Sequence, residues 1–219
     1  MLNLIQEEET QPAGKRLLLP AVSVGGTGQL AIDLLLNDAS QNFKYKGFFY
    51  TSCFAPYVCN SPISGNQGEI TFPVSLYENS QFLVIQIRST ALNPKDFCKG
   101  LVEWALSNQV SEIVVLASNS DLTKPSPESP QLYYMKNSLS QTNLNLPFKT
   151  KEDMTDLVRG IGLSKYLLLQ EEIPVLAVFT YSPEVPADYL SCFGLAEAFC
   201  EGYQVVHQSW QAPWDFLLS

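Results

Sequence analysis

Residues 25–28, Gly25-Gly26-Thr27-Gly28, stand between an apolar run and an amphipathic stretch, where backbone N–H groups at a helix start can attract an anion. A P-loop requires GxxxxGK followed by Ser or Thr, and this loop contains no lysine. Its glycines do not fit the GxGxxG dinucleotide fingerprint either. A tight turn that brings a helix close to a strand accounts for them better. A second glycine-rich entry, Gly160-Ile161-Gly162-Leu163-Ser164-Lys165, also misses the Walker spacing. There Ser164 reads as a helix cap and Lys165 as a solvated charge.

General acid–base chemistry calls for a histidine or a carboxylate pair in a pocket. The single histidine is His207, and no local context joins it to a cysteine nucleophile. Ser23, in Val22-Ser23-Val24-Gly25, lacks the first glycine of a GxSxG elbow. Asp33 could serve as a binding carboxylate, but it reads more simply as part of a helix's polar face. The five cysteines, Cys53, Cys59, Cys98, Cys192 and Cys200, include no CxxC pair and match no common zinc spacing. No catalytic, cofactor-binding or metal-ligating residue is assigned, and no cofactor is expected. The remaining suggestive cluster is apolar: Trp210, Trp214, Phe216, Leu217 and Leu218. Tryptophan is enriched where interfaces carry most of their binding energy. These five are therefore the candidate partner-binding residues, and packing against the chain's own domain is the alternative.

The elements that must position such groups follow from pattern. Residues 17–24 form a nearly continuous apolar run that ends at Gly25-Gly26, as a strand buried on both faces does. A helix then begins at Thr27 or Gly28, with Leu30, Ala31, Leu34 and Leu35 at helical spacing. Residues 47–51 predict an aromatic-rich strand. Ile70, Phe72, Val74 and Leu76 alternate, residues 77–81 turn the chain, and residues 82–87 return, so a β-hairpin is expected. Asn93-Pro94 is a helix start, with Phe97, Leu101, Trp104 and Ala105 on one face. Residues 113–116 follow as a buried strand in a βαβ arrangement. A helix carrying Leu163, Tyr166, Leu167 and Leu168, a strand over 174–179, and a last helix opened by Pro186 and Asp188 complete the pattern. The expectation is one α/β domain over 15–219, a three-layer α/β/α sandwich with a mixed sheet. A polar N-terminal arm covers 1–14, and a long polar excursion covers 118–150.

The 219 residues are 46% hydrophobic, enough for a sizeable core. A net charge of −9 with three arginines and no basic run argues against nucleic acid, and against anionic lipid for the same reason. An acidic surface of this kind favours solubility and docking on basic protein patches. Unpaired cysteines fit a reducing compartment, and no apolar stretch reaches the length of a membrane span. The expected location is cytoplasmic and nuclear, away from membranes.

Several stretches resemble the proteasome assembly chaperone family. They include Pro20-Ala21-Val22-Ser23-Val24-Gly25 with Gly28-Gln29-Leu30-Ala31 and Asp33-Leu34, and Gly47-Phe48-Phe49-Tyr50-Thr51 followed by Cys53. Others are Gln86-Ile87-Arg88-Ser89, Phe97-Cys98 with Leu101 and Trp104, and Ile113-Val114-Val115-Leu116 with Ser118. The series ends with Gly160-Ile161-Gly162, Lys165 and Leu167, then Ser209-Trp210, Pro213 and Trp214. The resemblance implies an α/β sandwich similar to nucleoside phosphorylases. It also implies a non-enzymatic subunit that pairs with proteasome assembly chaperone 1 as a heterodimer. That pair would hold 20S proteasome α subunits, promote the α ring and prevent off-pathway ring dimers. Some relatives anchor through a C-terminal hydrophobic–Tyr–any-residue tail, whereas Phe216-Leu217-Leu218-Ser219 has no tyrosine. The alternative is a nucleoside phosphorylase-like enzyme or a hydrolase, with Asp33 or His207 as the working group. A small-molecule binding module using residues 25–28 is a third reading.

Overall fold

A computed structural model of the chain describes residues 2–21, 24–60, 70–120, 132–147, 162–182, 192 and 194–196. In chain order the strands are β1 (Asn3–Gln6), β2 (Arg16–Pro20), β3 (Lys44–Tyr50), β4 (Cys59–Asn60), β5 (Ile70–Thr71) and β6 (Val74–Glu78). They continue with β7 (Phe82–Ile87), β8 (Glu112–Ser120), β9 (Leu132–Lys136) and β10 (Val175–Ser182). The α-helices that lie wholly within the described residues are α1 (Thr27–Asn37), α2 (Pro94–Ser107) and α3 (Leu163–Leu168).

Eight strands form one sheet in the order β1-β3-β6-β7-β2-β8-β10-β9, and β4-β5 is a separate ribbon. The central strands β7, β2, β8 and β10 are parallel to their neighbours within that set. The outer strands β6, β3, β1 and β9 pair antiparallel. Parallel strands must be covered on both faces, which is why β8 and β10 are buried along their whole length.

Side-chain alternation sorts the core into two halves. On one face Leu18, Val84, Val114, Leu116 and Val178 pack with Ala31, Ile32 and Leu35 of α1. On the other, Leu17, Leu19, Ile85 and Val115 pack with Phe97 and Leu101 of α2 and with Leu163 and Leu167 of α3. The expected mixed-sheet, three-layer architecture is therefore present. Each fully buried aliphatic side chain of this kind stabilises the fold by about 1.5–3 kcal/mol. The Asn93 side chain accepts from the Asp96 N–H, so the predicted cap of α2 forms.

Two differences matter for function. Residues 3–6, read as part of a polar arm, form an edge strand, and Leu4 with the preceding Leu2 packs on the α2-side core. Within the excursion at 118–150, residues 118–120 extend β8 and residues 132–136 form β9 beside β10. Among the described residues no helix is long and apolar enough to cross a membrane.

Candidate functional site

The loop that leaves β2 lies at the C-terminal edge of the parallel strands. There β2 leads into α1 on one face of the sheet, while β7 leads into α2 on the other. Such a switch point is where open α/β sheets commonly hold ligands. Gly25 and Gly26 have φ of 65° and 66°, a left-handed turn that a glycine adopts without strain. Gly28 answers to a closer constraint: a Cβ there would lie 2.3 Å from the Leu116 carbonyl oxygen. The turn thus lays α1 directly on β8.

Hydroxyls from neighbouring strands knit this loop to the sheet. Thr27 Oγ1 is 2.9 Å from Ser182 Oγ of β10 and 3.3 Å from the Val24 carbonyl oxygen. Ser118 Oγ of β8 donates to the same Val24 carbonyl. Thr27, Ser118 and Ser182 are fully buried. The polar atoms nearest the loop therefore serve its own packing, as the tight-turn reading expects.

Asp33 departs from its expected place. It is 1% exposed, because α1 turns this side chain toward the end of β7 rather than to solvent. Its Oδ1 accepts from Arg88 Nη2 at 2.7 Å and from Gln86 Nε2 at 2.8 Å. Asp33 Oδ2 and Arg88 Nε have no hydrogen-bond partner. Gln86 Oε1 in turn accepts from Tyr77 and Thr71 hydroxyls, each at 3.4 Å. Burial pushes the Asp33 carboxyl above the usual carboxylate range, while the Arg88 charge and the two hydrogen bonds pull it back. An enzyme reading would need this carboxylate to face a substrate, and the geometry turns it inward onto Arg88. His207, the other working group of that reading, lies outside the described residues.

On the α2 side of the sheet, Asn119 Nδ2 donates to Tyr133 Oη at 2.6 Å, and Tyr133 stacks on Phe179 with centroids 5.1 Å apart. Burial beside Tyr181 drives the Tyr133 phenol well above its ordinary range, so it stays protonated. Burial likewise pushes the Cys98 thiol up to about 12, which makes it a poor nucleophile. Cys53 and Cys98 are free thiols, and they and Cys192 are buried. Ser164 does not cap a helix: Gly162 holds the N-cap position of α3, and Ser164 is buried with its hydroxyl unpartnered. Lys165 stands half-buried on α3. Ser23 and the cluster Trp210, Trp214, Phe216, Leu217 and Leu218 lie outside the described residues. Among the described residues no group of three or more His, Cys, Asp or Glu side chains could hold a metal ion.

The surface carries features the sequence reading missed. A groove of about 440 Å³ runs between Leu2 and α2, beside Gly100 and Trp104, with Asp96, Lys99 and Glu103 on its rim. At the opposite face of the same sheet corner, Ile5 of β1 and Tyr50 of β3 are 46% and 69% exposed. The signal was present as the spacing of Leu2 and Leu4, a period of two inside the supposed arm.

Residues 17–201 match the PAC2 family. The chain is 28% identical over 234 aligned residues to proteasome assembly chaperone 2 of Bos taurus, covering 92% of this chain and 86% of that protein. It is 37% identical over 114 residues to proteasome assembly chaperone 2 of Homo sapiens, covering 49% of this chain and 42% of that protein. The match to the human protein thus spans less than half of its length. Among solved structures, Pyrococcus furiosus PbaA, an archaeal homolog of proteasome-assembly chaperone, superposes with a TM-score of 0.66. It is 13% identical and the match covers 100% of this chain and 90% of that one, a likeness of fold.

Proposed function

The chain belongs to the PAC2 family, and on that premise we propose that it is a proteasome assembly chaperone. It pairs with proteasome assembly chaperone 1 and acts on 20S proteasome α subunits in the cytoplasm and nucleus. The observation that carries this reading is the match along most of the chain to proteasome assembly chaperone 2 of Bos taurus, inside a family match over 17–201. The inward-turned Asp33 and the self-satisfied loop at residues 25–28 support a binding role over a reaction.

The mechanism is stoichiometric binding. A heterodimer that fits correctly arranged α subunits better than misarranged ones, or than dimerised rings, shifts the population toward the correct α ring by that difference in affinity alone. A preference of about 1.4 kcal/mol changes the ratio tenfold, and no nucleotide or cofactor is required. The acidic surface speeds encounter with basic patches. Trp210, Trp214, Phe216, Leu217 and Leu218 are proposed partner contacts.

Native mass spectrometry of the recombinant chain with proteasome assembly chaperone 1, then with α subunits, tests the proposal. A one-to-one heterodimer that captures α subunits is expected. If the chain binds neither, the reading is wrong.

A further inference from the structure

We propose that the corner where β1 meets β3 is a docking surface for an extended strand of the partner subunit. That strand would carry apolar side chains at alternate positions and basic residues at the end that meets Glu7 and Glu9. The proposal rests on the chaperone reading and names the surface that reading leaves open.

Three observations converge here. First, β1 is a terminal strand of the sheet among the described residues, and Asn3, Ile5 and Gln6 are exposed along it. An edge strand presents a row of unpaired backbone donors and acceptors, a template for another strand. Edges that must stay solitary are guarded by charge, proline or a bulge that twists them away. Residues 3–6 carry neither charge nor proline, and the one irregularity nearby, between Tyr45 and Gly47, lies on the β3–β6 side.

Second, the strand is built onto the sheet by a dedicated residue. Gly47 has φ of +142°, and a Cβ there would lie 2.2 Å from the Ile5 carbonyl oxygen. Only a residue without a side chain lets β1 approach β3, so the edge is a constructed part of the fold.

Third, the face beside this edge is apolar and uncovered. Ile5 pairs with Phe48, and Asn3 with Tyr50, on the face opposite half-buried Leu4 and buried Phe49. Helix α1 packs on β7, β2 and β8 on that face, while Ile5 and Tyr50 remain exposed at this corner. Phe48 stacks on Phe72 at 3.8 Å, which continues the apolar surface toward Ile70 on β5, 54% exposed. Exposed apolar surface of this kind marks interaction sites. Glu7 and Glu9, exposed just past the end of β1, set the charge of what binds. Each matches a Lys or Arg on an incoming strand.

Hydrogen exchange of the full chain, alone and with recombinant proteasome assembly chaperone 1, reads this surface directly. The amides of residues 3–6 should gain protection on pairing. Ile5→Lys and Tyr50→Glu, both at exposed positions, should keep the melting temperature and weaken pairing by at least about tenfold each. Glu7→Gln with Glu9→Gln should flatten the salt dependence of association. Pairing that leaves residues 3–6 unprotected, or that tolerates both Ile5→Lys and Tyr50→Glu, overturns the surface and spares the chaperone reading. A complete lack of pairing removes both. Protection of residues 3–6 through self-association, seen as a dimer of the chain alone by sedimentation, also overturns it.

Discussion

Asp33 sits under two opposing pressures, and their balance can be measured. Desolvation favours its neutral form, while Arg88 at 2.7 Å and the Gln86 amide at 2.8 Å favour the anion. The raised folded-state value means that the folded protein holds this proton more firmly than the unfolded chain does. Its contribution to stability is therefore largest below the unfolded carboxylate range, about pH 4, and declines as pH rises through the folded value. Removing the cation sharpens the effect. Arg88→Ala leaves a buried carboxylate uncompensated and should cost about 3–5 kcal/mol at neutral pH. With the Arg88 pull gone, the carboxyl rises further, so the gap between wild type and variant should narrow as pH falls from 7 toward 5. Urea unfolding of both proteins across that range provides the test, and a gap independent of pH would refute this account. Replacing both partners, Asp33→Leu with Arg88→Met, should cost much less than Arg88→Ala alone, because no buried charge remains.

Two glycines set how elements approach one another, and they fail in different ways. At Gly28 a Cβ would press on the Leu116 and Ala21 carbonyl oxygens, at 2.3 and 3.3 Å, between α1 and the centre of the sheet. Gly28→Ala should cost roughly 1–3 kcal/mol of global stability, since neither α1 nor β8 can retreat without opening a core. At Gly47 the clash falls on an edge strand that can peel away. Gly47→Ala should leave most of the melting temperature in place and free the amides of residues 3–6, a split that calorimetry and hydrogen exchange together resolve. Equal global losses for the two variants would contradict the distinction. The same contrast explains what could be read in the sequence. Strands β2, β7, β8 and β10 announce themselves as apolar runs because both of their faces are buried. Helix α2 announces itself through Asn93, Pro94 and Asp96, all within one turn. Strand β1 is four residues long, and its existence depends on Gly47, whose role appears only once the strands are paired. Strand β9 hides in a polar stretch because β10, its partner, comes later in the chain. Asp33 looked solvent-facing because Gln86 and Arg88, which bury it, lie 53 and 55 residues away. Local spacing could place the turn at residues 25–28, but the exposed corner around Ile5 and Tyr50 emerges only from long-range pairing.

Across the whole molecule, stability should fall from the middle of the sheet outward. Strands β2 and β8 have hydrogen-bonded neighbours on both sides and helices over both faces, so their amides exchange only when the domain opens. Among the described residues strand β1 has one neighbour, and its inner face is half-buried, while the short β4–β5 ribbon stands outside the main sheet. Native-state hydrogen exchange of the free chain should therefore rank β8 and β2 as slowest, β7 and β10 next, and β1 with β4–β5 as fastest. The edge should exchange at least about 100-fold faster than the centre, reflecting local opening rather than global unfolding. This gradient suits a subunit that works by binding. A loosely held edge can adjust to an incoming strand without disturbing the two cores, and the order it gains is drawn from the binding energy. Denaturant should separate the two regimes: exchange of β8 amides should accelerate with the slope of global unfolding, while β1 amides should be nearly insensitive. A β1 that exchanges as slowly as β8 in the free chain would mean that this edge is already closed, and β1 would then not be an open strand to offer a partner.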